Sequence, residues 1–164
     1  MSWLLERLRQ RKEDRGFMAD LKCVLVDSKK HRAWPALNRL GVDITDEDKT
    51  FIAGLFATYP EEIETGNLGS TCMAIERERG DRRTDDNKLT STERRFQNLL
   101  VAEKGAELHS RVLRMVMMAE SAGVPVNYER LETDLHFWNE RTKTEWARAF
   151  WTPGAASSDE EVSP

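Results

Sequence analysis

Apolar residues recur at three- and four-residue spacing along most of this chain, and no stretch alternates apolar with polar as a half-buried strand would. Ser2 is placed to cap a first helix with Trp3, Leu4, Leu5 and Leu8 on its apolar side and Arg7, Arg11 and Arg15 on the other. Gly16 should break it. Phe17 to Val26 then reads as a second helix, with Phe17, Leu21, Val24 and Leu25 on one stripe. Lys29, Lys30, His31 and Arg32 form a basic connection to a short helix, Trp34 to Leu40. Pro35 costs little there because a first-turn N–H has no helical partner, and Gly41 ends the helix.

Thr45 or Asp46 caps the next helix, and Asp46, Glu47 and Asp48 load its first turn with the charge the helix dipole favours. Phe51, Ile52, Leu55 and Phe56 form its stripe up to Tyr59-Pro60, and a polar connection leads to a helix from Leu68 to Arg79. Thr90-Ser-Thr-Glu93 has the spacing of a capping box, and the helix it opens buries Phe96, Leu99 and Leu100. Ala106 to Ala122 is the longest helix, with Leu108, Val112, Met115, Val116 and Ala119 inward and Gly123 and Pro125 closing it. Asn127 caps a helix bearing Leu131, Leu135 and Trp138, and a last one from about Arg141 to Trp151 buries Trp146 and Phe150. The pattern predicts an all-α bundle of seven to nine helices, divisible into two small lobes. The expected boundaries are an N-terminal lobe over 1–80, an exposed charged loop over 81–90, a C-terminal lobe over 91–151 and a disordered acidic tail over 152–164.

Composition agrees with one domain. The chain has 164 residues, 39% of them hydrophobic, and five Trp and six Phe supply large anchors for a single core. No run of about 18 apolar residues is available to span a membrane. The start, Met-Ser-Trp-Leu-Leu-Glu-Arg, lacks the order of a signal peptide, so a cytoplasmic protein is expected. Cys23 and Cys72 lie in apolar helical segments without CxxC spacing and read as buried, inert thiols.

Catalytic chemistry finds no support. His31, His109 and His136 are not at metalloprotease spacing, Asp85-Asp86 reads as a solvated loop, and Gly66-Asn-Leu-Gly69 lacks a phosphate-loop lysine. No cofactor or metal is expected. The net charge of −4 conceals segregation: residues 1–39 carry ten Lys/Arg against five Asp/Glu, and residues 40–66 carry one against seven. Dense local cations, rather than net charge, are what a phosphate backbone requires.

Arg94 and Arg95 flank a core position, so at least one projects outward, and Arg111 and Arg114 share a face of the longest helix. One reading makes these ordinary helix faces, with Glu107 pairing Arg111 and Glu145 pairing Arg141 and Arg148. The other makes Arg94, Arg95, Arg111, Arg114 and Arg141, with Lys22, Lys29, Lys30 and Arg32, a sequence-blind contact to a nucleic-acid backbone.

The order of Ala19-Asp-Leu-Lys22, Arg32-Ala-Trp-Pro-Ala-Leu-Asn-Arg-Leu40, Glu93-Arg-Arg-Phe-Gln-Asn-Leu-Leu100, Leu113-Arg114, Gly123-Val-Pro-Val-Asn-Tyr128 and Trp146-Ala-Arg-Ala-Phe150 resembles the CasB family, the small subunit of the type I-E CRISPR surveillance complex Cascade. The resemblance spans roughly residues 3 to 151. It implies a non-catalytic all-helical protein, present as a head-to-tail pair of copies, that contacts the backbone subunits and the large subunit. It further implies support for the guide RNA assembly and a hold on the displaced, non-target DNA strand through basic residues. Arg94, Arg95, Arg114 and Arg32 match the family's basic positions, whereas Met115 and Glu140 stand where further cations are expected. A purely protein-binding scaffold is the main alternative. A helix-turn-helix regulator lacks its polar reading helix, and a hydrolase built on Asp85, Asp86 and His109 has no recognisable motif.

Overall fold

The computed structural model describes residues 2–80 and 88–152. Nine α-helices account for most of them: α1 (Trp3–Gln10), α2 (Arg15–Lys22), α3 (Trp34–Leu40), α4 (Glu47–Thr58), α5 (Leu68–Arg79), α6 (Ser91–Leu100), α7 (Ala106–Ala122), α8 (Tyr128–His136) and α9 (Glu140–Phe150). The expected loop and tail fall largely on 81–87 and 153–164, outside the described residues.

Polar caps set the helix starts. Ser2, Asp14, Asp46, Asn67, Thr90, Asn127 and Asn139 each accept a hydrogen bond from a first-turn backbone N–H, satisfying a donor with no helical partner. Thr90 and Glu93 form the expected capping box, and Asn67 with Ser70 forms a second that the sequence reading did not identify. Gly16 does not break a helix. The Asp14 cap starts α2 ahead of it, so Gly16 lies in the first turn of α2. That helix stops at Lys22 and continues as a 3₁₀ turn, Cys23–Leu25, which leaves Cys23, Val24 and Leu25 half-buried instead of in the core. Trp3 also departs from the expected apolar side, since 40% of it is exposed beneath the cations of Arg7 and Lys49.

The core is one contiguous cluster running from Leu4 to Phe150. α4 packs on α1, α2 and α8; α5 packs on α6, α7 and α9. The two connections between α4 and α5 and between α7 and α8 meet in an isolated parallel bridge, Glu62 with Val126. Around it Tyr59 Oη donates to Val124 O at 2.8 Å, Tyr128 Oη to Tyr59 O at 2.6 Å and Asn127 Nδ2 to Gly66 O at 2.9 Å. Buried tyrosines thereby satisfy carbonyls that an irregular segment would otherwise leave unpaired. Burial pushes the Tyr128 hydroxyl and the Cys72 thiol well above their ordinary values, and Cys72 is completely buried.

α5 and α9 approach at Gly69. A Cβ added there would lie 2.0 Å from the carbonyl oxygen of Trp146, a backbone atom with no room to yield. The Trp146 side chain is fully buried, and its Nε1 donates to the buried carboxylate of Asp134 at 2.7 Å. Gly69→Ala should therefore force α9 off α5 and cost about 3 kcal/mol, the upper range for overpacking. Gly16→Ala meets only Asp14 Oδ1, at 3.9 Å, and should be neutral or stabilising by up to about 0.5 kcal/mol. Thermal unfolding followed by circular dichroism checks both, and a Tm for Gly69→Ala equal to that of Gly16→Ala would refute the close approach.

Candidate nucleic-acid interface

Arg95 on α6 and Arg111 and Arg114 on α7 line one groove of about 200 Å³, with Asn98 and Met115 between them. The helical register places them there. On α7 the inward residues Leu108, Val112, Met115 and Ala119 define the core side, and Arg111 and Arg114 follow on the flank facing α6. α6 buries Phe96 and Leu99, which leaves Arg94 and Arg95 exposed on its outer face.

The arginines differ in how they are held. Arg111 Nη2 pairs with Glu107 Oε1 at 2.9 Å, as i, i+4 spacing predicts, and its Nη1 donates to the carbonyl of Asn98 across the groove. Arg111 is therefore a fixed wall of the groove. Arg95 makes long contacts only, Nη1 to Ser91 Oγ at 3.4 Å and to Met118 Sδ at 3.6 Å. Among the described residues, the side chains of Arg94 and Arg114 have no hydrogen-bond or ion-pair partner.

A second concavity, of about 530 Å³, opens on the opposite flank of α7. Ala106, His109, Ser110 and Leu113 form its α7 wall, and Phe51 on α4, Trp34 and Lys30 line it as well. His109 stacks on Phe51 with ring centroids 4.2 Å apart, and its Nε2 lies 3.0 Å from Asp48 Oδ1. This contact, outweighing burial of the carboxylate, holds Asp48 below its ordinary value. Lys29, Lys30 and Arg32 are exposed at the 3₁₀ turn Lys30–Ala33 and its approach, and none has a side-chain partner among the described residues.

The nine sequence-expected cations thus fall into separate places. Arg95, Arg111 and Arg114 share the groove, Arg94 adjoins it on α6, and Lys30 lines the cleft beside Lys29 and Arg32. Lys22 is exposed at the end of α2. Arg141 lies on α9 outside both concavities and pairs with Glu145 at 3.3 Å, the expected ordinary ion pair. Glu145 takes Arg130 as its second partner, at 2.5 Å, and not Arg148. Trp34 and Ser110 escaped the sequence reading. In the sequence Trp34 reads only as the first residue of a short helix, and its 40% exposure marks it as surface. Among the described residues no three His, Cys, Asp or Glu side chains converge as metal ligands, and no helix is long and apolar enough to cross a membrane.

A carboxylate whose folded value is depressed contributes stability above its unfolded value and loses it as pH falls through the folded one. Asp48→Asn should accordingly be less stable than the parent at neutral pH. The gap should begin to narrow as pH falls past the ordinary carboxylate value of about 4 and close only below the lower value at which the folded parent protonates Asp48. Urea unfolding across pH checks this; a gap independent of pH would show that the Asp48–His109 contact carries no charge-dependent stability.

Residues 18–151 match the family profile of the CRISPR-associated protein Cse2. Solved structures of similar fold include a CRISPR-associated protein of the Cse2 family from Thermus thermophilus, 20% identical, with a TM-score of 0.69 over 90% of this chain and 94% of that one. A structure of CasB from Thermus thermophilus is 19% identical, with a TM-score of 0.68 over 90% and 94%. CasB of M. ruber is 24% identical, with a TM-score of 0.69 over 98% and 96%. No curated protein matches the chain by sequence.

Proposed function

The chain belongs to the CRISPR-associated Cse2 family, and from that premise we propose that it is the non-catalytic small subunit of a type I-E Cascade complex, bridging other subunits and holding the displaced DNA strand. The observation that carries this reading is the convergence of Arg95, Arg111 and Arg114 on one groove, two of them without a strong internal partner among the described residues. Unpaired guanidiniums on a rigid helix pair are suited to phosphates, which they meet without reading sequence. Sequence reading belongs to the guide RNA.

Energetics favour such a modest device. Exchange of a DNA duplex for an RNA–DNA heteroduplex is nearly balanced, so a few backbone contacts to the displaced strand tip it toward the open state. Each phosphate contact on a single strand contributes about 0.7 to the salt slope of binding, so the interaction is weak and salt-sensitive for the isolated protein. In this reading two copies stack head to tail, contact the backbone subunits and the large subunit, and lie along the guide RNA ribonucleoprotein. The setting is cytoplasmic.

Replacing Arg94, Arg95, Arg111 and Arg114 together by Ala should leave the complex assembled, as judged by size-exclusion chromatography with its partners. The same variant should release the displaced strand about ten-fold more readily and lower the salt slope by about 2 to 3. Unaltered target-DNA affinity at moderate salt would instead assign the subunit a purely protein-binding, scaffolding role.

A further inference from the structure

The cleft on the other flank of α7 has features that the arginine groove does not explain. Trp34 and Trp3 are each 40% exposed, yet their surroundings differ. Trp3 is covered by Arg7 and Lys49, whose cations lie 4.8 and 5.3 Å from its ring. Among the described residues Trp34 has no cation over its ring and its one ring contact is a T-shaped one with His31, at 6.4 Å, so the exposed part of its indole is offered to the cleft it lines. The stacked rings of Phe51, itself buried, and His109 line the same cleft. The remaining lining is mixed: Val24, Leu25, Ile44, Ala106 and Leu113 are apolar, and Asp27, Glu47, Lys30, Thr45, Thr50 and Ser110 supply charge and hydrogen-bonding groups.

An aromatic face bordered by hydrogen-bonding groups fits a flat ligand with a polar edge. An apolar side chain from a protein partner would strip water from Asp27, Glu47 and Lys30 without replacing its hydrogen bonds. A free phosphate would meet two carboxylates. A nucleobase has both faces of the requirement, since its ring stacks on an indole and its exocyclic amino group donates to a carboxylate. Phosphates on either side of that base would lie outside the cleft, where Lys29 and Arg32 are exposed without partners among the described residues.

The cleft and the groove are joined by α7. Ser110 lines the cleft and Arg114 lines the groove, and they are one turn apart, about 6 Å along the helix. We propose that the cleft walled by Trp34, Phe51 and His109 seats one unstacked base of the single strand whose phosphates run over Arg114 to Arg95 and Arg111. This rests on the reading of the arginine groove as a strand contact.

The test compares two single strands of equal length, an oligodeoxycytidine and one made wholly of abasic sites, binding to the full chain at low salt by fluorescence anisotropy. Trp34→Ala should weaken the oligodeoxycytidine about ten-fold, as loss of one base stack does, and leave the abasic strand unchanged. Trp34→Phe should recover most of the loss, and circular dichroism should show all three proteins equally folded. Equal binding of the oligodeoxycytidine by the parent and Trp34→Ala, or an equal loss on both strands, overturns the base seat while leaving the arginine groove standing. Failure of the parent to bind either strand overturns both. A Trp34→Ala variant that binds both strands normally but no longer enters the assembled complex makes the cleft a protein contact, which also overturns the proposal.

Discussion

Gly69 and the backbone of Trp146 meet at a distance that admits no side chain, and the C-terminal half of the molecule is arranged by that contact. With α9 laid directly on α5, the indole of Trp146 reaches the core, where Asp134 accepts its N–H and in turn receives Arg130 Nε at 2.9 Å. Asn67, which caps α5, donates to the carbonyl of Glu145 and so ties the start of the same helix to α9. α5 also supports α6 and α7, so the spacing of the two helices that bear Arg95, Arg111 and Arg114 depends on how closely α5 and α9 pack. A basic groove on the surface is in this sense a product of a glycine in the interior.

Charge is redistributed by folding. The basic N-terminal stretch and the acidic stretch after it partly neutralise each other in space: Arg9 binds Glu62 at 2.9 Å and Glu129 at 3.1 Å, and Lys49 binds Glu132 at 3.0 Å. Pairs this exposed contribute at most about 1 kcal/mol each. Their larger effect is to consume acidic groups. Asp46 is taken up as a cap, Asp43 by Thr45 and Asp48 by His109, so these three carboxylates of the acidic run are engaged in local hydrogen bonds. Cations without such partners among the described residues, Lys29, Lys30, Arg32, Arg94 and Arg114, remain on the outside of a chain whose net charge is −4.

The stretches that carry the family resemblance separate into structural and exposed parts. In Glu93-Arg-Arg-Phe96, Glu93 closes the capping box and accepts from Trp151 Nε1 at 2.9 Å, Phe96 stacks on Phe150 at 4.6 Å, and the two arginines between them face solvent. The Gly123 to Tyr128 stretch is wholly structural, since it ends α7, forms the bridge to the α4–α5 connection and plants Tyr128 under α4. Trp146 likewise serves the core. A short motif of mixed composition can thus hold a surface pair in place with the residues that flank it.

The helices themselves were legible in the chain because caps and apolar spacing are local. Thr90 with Glu93, Asp46, Asn127, Gly41 and Gly123 act where their types and positions indicate. Even the Glu107–Arg111 pair follows from i, i+4 spacing along one helix. Local rules failed where two signals competed, as at Gly16, whose flexibility was overridden by the Asp14 cap, and at Val24 and Leu25, where a 3₁₀ turn displaced the helical stripe. What only the tertiary structure decided were relations between segments distant in sequence: that Gly69 is an interhelical contact, that Arg95 lines one groove with Arg111 and Arg114 while Arg141 does not, and that Trp34 and His109 line one cleft. Such relations depend on helix packing, in which each side chain's neighbours come from elsewhere in the chain and no periodicity within one segment encodes them.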